Sequence, residues 1–179
     1  MAVEITQSQL IRAVPYLYKA RLDEFVASFN MWAVHFGIDT PLRAAHYLAQ
    51  VFHESGNLRY VEELASGAKY EGRKDLGNTQ KGDGVRFKGR GFIQLTGRAN
   101  YTAFNASDCC TEDVVSQPAK VSQYPLNQVA SMWFWQTHNL NAWADADNVE
   151  RVTRIINGGT NGLSMRKSLL VKFKRVFDV

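Results

Sequence analysis

The stretch DTPLRAAHYLAQVFHESG, residues 39–56, decides the fold class. Thr40 before Pro41 is a helix-start signal, because the hydroxyl can accept from an unpaired amide and proline fits the first helical position. Behind it Ala44, Ala45, Leu48, Val51 and Phe52 recur at helical spacing and predict a buried stripe. A second stripe, His46, Gln50 and Glu54, advances four residues at a time. Gly56 predicts the stop. The helix therefore ends on a carboxylate, in the sequence His53-Glu54-Ser55-Gly56.

Outward from this helix the chain keeps a helical rhythm. Thr6 and Gln9 have capping-box spacing, with Ile5 and Leu10 placed as a hydrophobic staple. A second helix is expected from about Tyr16, burying Phe25, Phe29, Trp32, Ala33 and Phe36 and stopping at Gly37. Further helices are expected near 127–137, 149–156 and Leu163–Phe177. Residues 67–91 are rich in Gly, Lys, Arg and Asp and carry no clear period, which marks a functional or mobile loop. Residues 92–96 alternate weakly and predict a short strand. The expected fold is mainly α, with at most a short strand or hairpin. Residues 1–179 read as one domain, without repeat, linker or low-complexity segment.

A chain of 179 residues with 45% apolar and 12% aromatic content is long enough to bury a core without staples. The net charge of +4 is modest. It is matched by the segment from Ser164 onward, where Arg166, Lys167, Lys172, Lys174 and Arg175 stand against Asp178. That charge alone does not call for nucleic acid. Cys109 and Cys110 are neighbours, a spacing that suits free thiols better than a bridge. No apolar run approaches the roughly 18–20 residues of a membrane span, and no signal peptide is legible. A substrate outside the cytoplasm would then require another route of release.

Several chemistries can be weighed from residue types. His46, His53 and Glu54 could suggest a metal, but H-E-x-x-H is absent because Asn57 follows Gly56. His35 and His138 read as ordinary polar residues. There is no G-x-S-x-G elbow, no partner histidine for the cysteines, and no phosphate loop among the glycines. Carboxylate acid–base chemistry remains. Glu54 suits a proton donor because the negative end of its helix disfavours a charged carboxylate. Gln94, Thr96, Asn100 and Tyr101 offer the amides, hydroxyls and aromatic face that sugar recognition needs. No metal and no cofactor is expected.

His53-Glu54-Ser55-Gly56, Glu63, Tyr70-Glu71-Gly72-Arg73, FKGRGFIQLT at 87–96 and Ile156-Asn157-Gly158-Gly159 together resemble family 19 glycoside hydrolases. Within that family the likeness is to phage and prophage endolysins more than to plant chitinases. The resemblance implies a lysozyme-like, two-lobed helical domain with a central substrate cleft, and an inverting hydrolysis of β-1,4 bonds. It implies Glu54 as general acid, Glu63 as general base and Thr96 as the residue positioning the water. It also implies that His53, Glu71, Gln94, Asn100, Tyr101, Asn157 and Arg166 bind substrate or orient the carboxylates. Glu62 adjoins Glu63 and Glu71 lies close behind, so Glu71 stays a rival for the base. Asn57 replaces a glycine usual in relatives, a change that a left-handed backbone tolerates.

The expected activity is hydrolysis of peptidoglycan between N-acetylmuramic acid and N-acetylglucosamine, by a monomer, leading to host lysis. Residues 1–179 are expected to form a single catalytic domain with no separate wall-binding module. Synthesis in the host bacterial cytoplasm, without a signal peptide, and release through a separate pore-forming protein are expected with it. Chitin hydrolysis is the alternative, and a catalytically inactive wall-binding protein the second. In the last helix Met165, Leu169, Leu170, Phe173, Val176 and Phe177 form an apolar stripe expected to pack on the domain. Lys167, Lys172, Lys174 and Arg175 are then expected to face an anionic envelope.

Overall fold

The structure is a computed structural model describing residues 2–179. Among the described residues it contains α1 (Gln7–Ala13), α2 (Leu22–Trp32), α3 (Pro41–Glu54), α4 (Asp83–Arg86), α5 (Arg98–Asn105), α6 (Leu126–Thr137), α7 (Leu140–Asp145), α8 (Val149–Asn157) and α9 (Leu163–Phe177). Short 3-10 turns join several of them. The chain divides into two compact units, one of the residues up to Arg59 together with Phe134–Val179, the other Tyr60–Trp133. No described helix is long and apolar enough to cross a membrane.

The first unit is built around α3. Thr40 accepts from the Arg43 amide at 3.2 Å and Pro41 opens the helix, as the sequence predicts. Such a cap stabilises a helix by about 1 kcal/mol. Every residue from Ala44 to Phe52 is buried. The polar stripe is therefore inside the unit with the apolar one, and it needs partners there. The core beside it is aromatic. Phe52 meets Phe25 and Phe173 edge-on at 5.9 and 5.0 Å, and Tyr47 meets Trp135 at 5.4 Å. α9 packs along α3 with Leu169, Leu170, Phe173 and Val176 buried.

The Thr6 capping box forms, with Ile5 and Leu10 buried. The second helix starts later than Tyr16. Tyr16 and Tyr18 are exposed, and the Tyr18 amide is spent on the Asn57 carbonyl at 2.9 Å. α2 begins at Leu22, where Asp23 and Glu24 give its first turn acidic groups. A 3-10 turn then carries the chain to Gly37, which takes the left-handed conformation at φ +69°.

α9 also corrects two expectations. Met165 is 57% exposed, off the buried stripe, while Arg166 is 1% exposed and inside it. Lys174 pairs with Asp147 and is not a free surface charge.

In the second unit the glycine-rich segment is ordered by polar groups. Asp83, 1% exposed, receives Arg98 Nε at 2.8 Å and the Gln80 amide at 3.0 Å. The Arg98 guanidinium holds the Asp83 carboxyl below the usual carboxylate range, against the opposing effect of burial. Asn78 is fully buried and joins the Tyr70 carbonyl to the Arg98 amide. Residues 92–96 do not form a strand. Arg90 and Leu95 exchange backbone bonds of 3.1 and 2.7 Å, which closes the intervening residues into a turn. α5 and α7, unread in the sequence, are short helices starting behind Gly97 and Asn139.

Candidate active site

In the first unit Glu54 is the last residue of α3. Its Oε1 accepts from the Arg166 guanidinium, whose Nη1 also donates to Gln50 Oε1 one turn earlier. Gln50 donates in turn to Thr153 Oγ1 at 3.3 Å, and His46 Nε2 bonds Asp147 Oδ1 at 2.8 Å. The stripe of every fourth residue on α3 is thus a ladder of polar contacts to α8, α9 and the loop between α7 and α8. Arg166 is buried while Glu54 keeps 22% of its side-chain exposure. The ladder fixes one carboxylate oxygen and leaves the group within reach of solvent.

Past Glu54 the chain turns on three consecutive left-handed residues, Gly56, Asn57 and Leu58, at φ +58°, +60° and +71°. Asparagine carries this conformation at its position, as the sequence allowed. Leucine does so only under strain, and its fully buried side chain holds it there. Ser55 closes the turn, donating to the Val51 carbonyl at 2.7 Å and accepting from the Leu58 amide at 2.9 Å. His53 is half-buried, and a Cβ on Gly162 would stand 2.3 Å from its ring, so only glycine fits there. Burial and then the Arg166 charge push the His53 imidazole below its ordinary value, which keeps it neutral.

In the second unit three carboxylates lie close in sequence and are distinguished by their partners. Glu62 faces two cations, Lys88 Nζ and Arg90 Nε, each at 3.1 Å. Glu71 spends both oxygens on backbone amides, Oε1 on Gly82 at 2.6 Å and Oε2 on Gly84 at 2.8 Å. Gly84 has no room for a Cβ, which would stand 2.5 Å from the Glu71 amide. Glu71 therefore staples its own loop. Glu63 differs from both. Its Oε1 accepts from Lys69 Nζ at 2.8 Å and the Tyr70 hydroxyl at 3.2 Å, while its buried Oε2 has no hydrogen-bond partner in the protein. Burial pushes the Glu63 carboxyl up, but Lys69, Tyr70 and the Gly89 backbone together outweigh it, and the net shift is downward. Glu63 is thus held as a carboxylate.

The remaining residues are dispersed. Gln94 is half-buried, and its side chain fills the space a Cβ on Gly89 would need. Thr96 Oγ1 reaches the Gln94 carbonyl at 3.4 Å, and Asn100 donates to the Thr96 carbonyl at 2.7 Å. Asn157 is exposed at the end of α8. Tyr101 corrects its assignment as a sugar-facing residue. It is fully buried, donating to the Lys88 carbonyl at 2.9 Å and accepting from Arg90 at 3.0 Å, so neither ring nor hydroxyl can meet a substrate. Among the described residues no group of three or more His, Cys, Asp and Glu gathers to hold a metal. Cys109 and Cys110 are free thiols.

No family model matches the chain. A Haemophilus influenzae protein described as a glycosyl hydrolase family 19 domain-containing protein is 32% identical over 167 aligned positions, covering 74% of this chain and 79% of that one. The chain belongs to glycoside hydrolase family 19. An Arabidopsis thaliana endochitinase is 35% identical over 139 positions, and this family 19 chain spans only 46% of its length. Chitinase C from Streptomyces griseus superposes with a TM-score of 0.74 over 98% of this chain and 93% of that one, at 20% identity. A bacterial family 19 chitinase superposes at 0.76 over 98% and 95%, also at 20% identity. These likenesses show a shared, mainly helical fold.

Three side chains that hold these carboxylates are given no role by the sequence. Gln50 had a signal, being polar and one turn before Glu54 on an otherwise apolar helix. Tyr70 stood inside a quoted motif without a role. Lys69 gives no signal at all, since its pairing with Glu63 depends on a turn that no periodicity marks.

Proposed function

We propose that this family 19 hydrolase cuts the β-1,4 bond of bacterial peptidoglycan between N-acetylmuramic acid and N-acetylglucosamine, as an endolysin-type lysozyme. Glu54 is the general acid. Arg166 fixes its Oε1, and Oε2 is the oxygen left to carry the proton to the leaving sugar oxygen. Glu63 is the general base. Lys69 and Tyr70 keep it ionised through Oε1, and Oε2 takes the proton of the attacking water. Water attacks the face opposite the leaving group, so a β-linkage yields an α-anomer first. Thr96 assists in holding that water, and Gln94, Asn100 and Asn157 meet the sugars.

The observation that carries this casting is the contrast among the neighbouring acids. Glu62 holds two cations on one oxygen and Glu71 is committed to two amides, whereas Glu63 keeps a buried oxygen that no protein group occupies. The net charge of +4 favours an anionic wall polymer over neutral chitin. Chitin hydrolysis is the second reading, favoured by the endochitinase among the relatives and the chitinases among the solved structures. Digestion of purified peptidoglycan and colloidal chitin side by side, followed by reducing-end assay, separates the two. Release from chitin alone would overturn the wall reading.

A further inference from the structure

One face of α9 carries Met165, Leu169, Lys172 and Val176, at steps of four, three and four residues. The segment from Arg12 to Tyr16 runs beside it. Arg12 donates to the Val176 carbonyl at 3.4 Å, and Lys172 Nζ stands 5.7 Å from the centre of the Tyr16 ring. Two concavities lie along this line. The one nearer α3, about 230 Å³, is mostly apolar and is lined by Tyr16, Phe52, His53, Met165 and Leu169. The other, about 540 Å³, is lined by Arg12, Lys172 and Arg175 around Ala13 and Val176. Tyr16 joins them, lining the first and lying under the Lys172 ammonium of the second.

Both ends are arranged for a ligand more than for the fold. Tyr16 and Met165 are 64% and 57% exposed, an unusual pair of large apolar groups to leave in water side by side. Among the described residues no carboxylate lies within ion-pair distance of Arg12, Lys172 or Arg175, whereas Lys174 on the same helix is paired with Asp147. The two concavities, taken together as a groove along α9, lead from an apolar start lined by His53, the neighbour of Glu54 in sequence, to an unneutralised triad of cations.

We infer that this groove holds the acidic peptide stem of the wall glycan whose sugar is bound at Glu54. The inference rests on the peptidoglycan reading and names the feature that would separate that substrate from chitin. From Met165 to Arg175 the helix rises about 15 Å. An extended peptide of four or five residues spans about 13–18 Å, so a stem leaving the sugar beside His53 reaches the cations. Its lactyl and alanyl methyls match Tyr16 and Met165, and its outer carboxylates match Arg12, Lys172 and Arg175. Chitin has neither group.

The test uses soluble glycan strands with their stems, the same strands stripped by an amidase, and chitin oligosaccharides. The triple variant Arg12→Gln/Lys172→Gln/Arg175→Gln is expected to raise KM on stem-bearing strands about tenfold, with kcat within twofold. KM on stripped strands should not follow, and added salt should erode the parent's preference for stems. Because Arg12 also bonds Val176, the double variant Lys172→Gln/Arg175→Gln is measured beside it and should move in the same direction. An unchanged KM on stem-bearing strands, or an equal rise on both kinds, would overturn the groove while leaving the wall hydrolase in place. A parent that cuts chitin oligosaccharides but neither kind of wall strand would overturn the peptidoglycan reading, and the groove with it.

Discussion

Arg166 and Glu54 form an ion pair in which the cation is buried and the carboxylate keeps partial access to solvent. The pair changes what Glu54→Gln does. A solvated helix-end glutamate would tolerate the exchange. Here the substitution keeps an acceptor oxygen but removes the charge that faces a buried guanidinium. We expect a stability loss of about 2 kcal/mol in urea unfolding, below the cost of breaking a fully buried pair. Activity per folded molecule should fall by at least ~10²-fold on wall glycan, because the amide cannot donate the proton. Residual activity within tenfold of the parent would remove Glu54 from the acid role.

Arg166→Met tests the other side of the pair. It leaves Gln50 Oε1 and Glu54 Oε1 without their shared donor. The expected cost is about 3 kcal/mol, the low end for breaking a buried ion pair, since Glu54 retains access to water. A loss under 1 kcal/mol would mean that the ladder along α3 is not what holds Glu54.

Glu63 and Glu71 should separate cleanly. Glu63→Gln removes the carboxylate whose second oxygen has no protein partner and should cost at least ~10²-fold in kcat. Glu71→Gln leaves one acceptor for the Gly82 and Gly84 amides, so its main effect should be faster proteolysis between residues 67 and 91. If Glu71→Gln costs more activity than Glu63→Gln at equal folded fraction, the base is Glu71.

With Glu63 as the proposed base, the acid limb of kcat/KM should report its ionisation. Its downward shift places that limb below the ordinary glutamate value of 4.5, and activity is lost as pH falls through it. Lys69→Met removes a hydrogen bond and a positive charge from the carboxylate, so the limb should move to higher pH. Lys69 is largely exposed, and screening keeps the displacement modest. A limb that moves to lower pH, or not at all, would contradict the assignment.

His46 gives folding its own pH dependence. Burial holds the imidazole below its ordinary 6.5, against the pull of Asp147. The unfolded chain then binds the proton first, so stability falls as pH drops below about 6.5 and levels off beneath the folded-state value. Thermal midpoints across that window should slope upward with pH in the parent and flatten in His46→Gln.

Legibility followed the nature of each element's stabilising contacts. α3, α9 and the Thr6 cap were readable because helical spacing and capping residues are written locally. The start of α2 was not, because the Tyr18 amide is spent on Asn57, a partner remote in sequence. The order of residues 67–91 rests on Asp83–Arg98, Asn78 and Glu71, polar pairs with no period. In the site, the motif placed Glu54 and Arg166 on the list without their contact. Tyr101 misled because a tyrosine beside polar residues reads the same whether its ring is inside or out, and only burial decides.

Mass spectrometry of the fragments released from purified peptidoglycan tests the central claim most directly. The account predicts fragments whose reducing end is N-acetylmuramic acid, released by the parent and lost in both Glu54→Gln and Glu63→Gln. Reducing-end N-acetylglucosamine, or release by either variant at the parent's level, would contradict it.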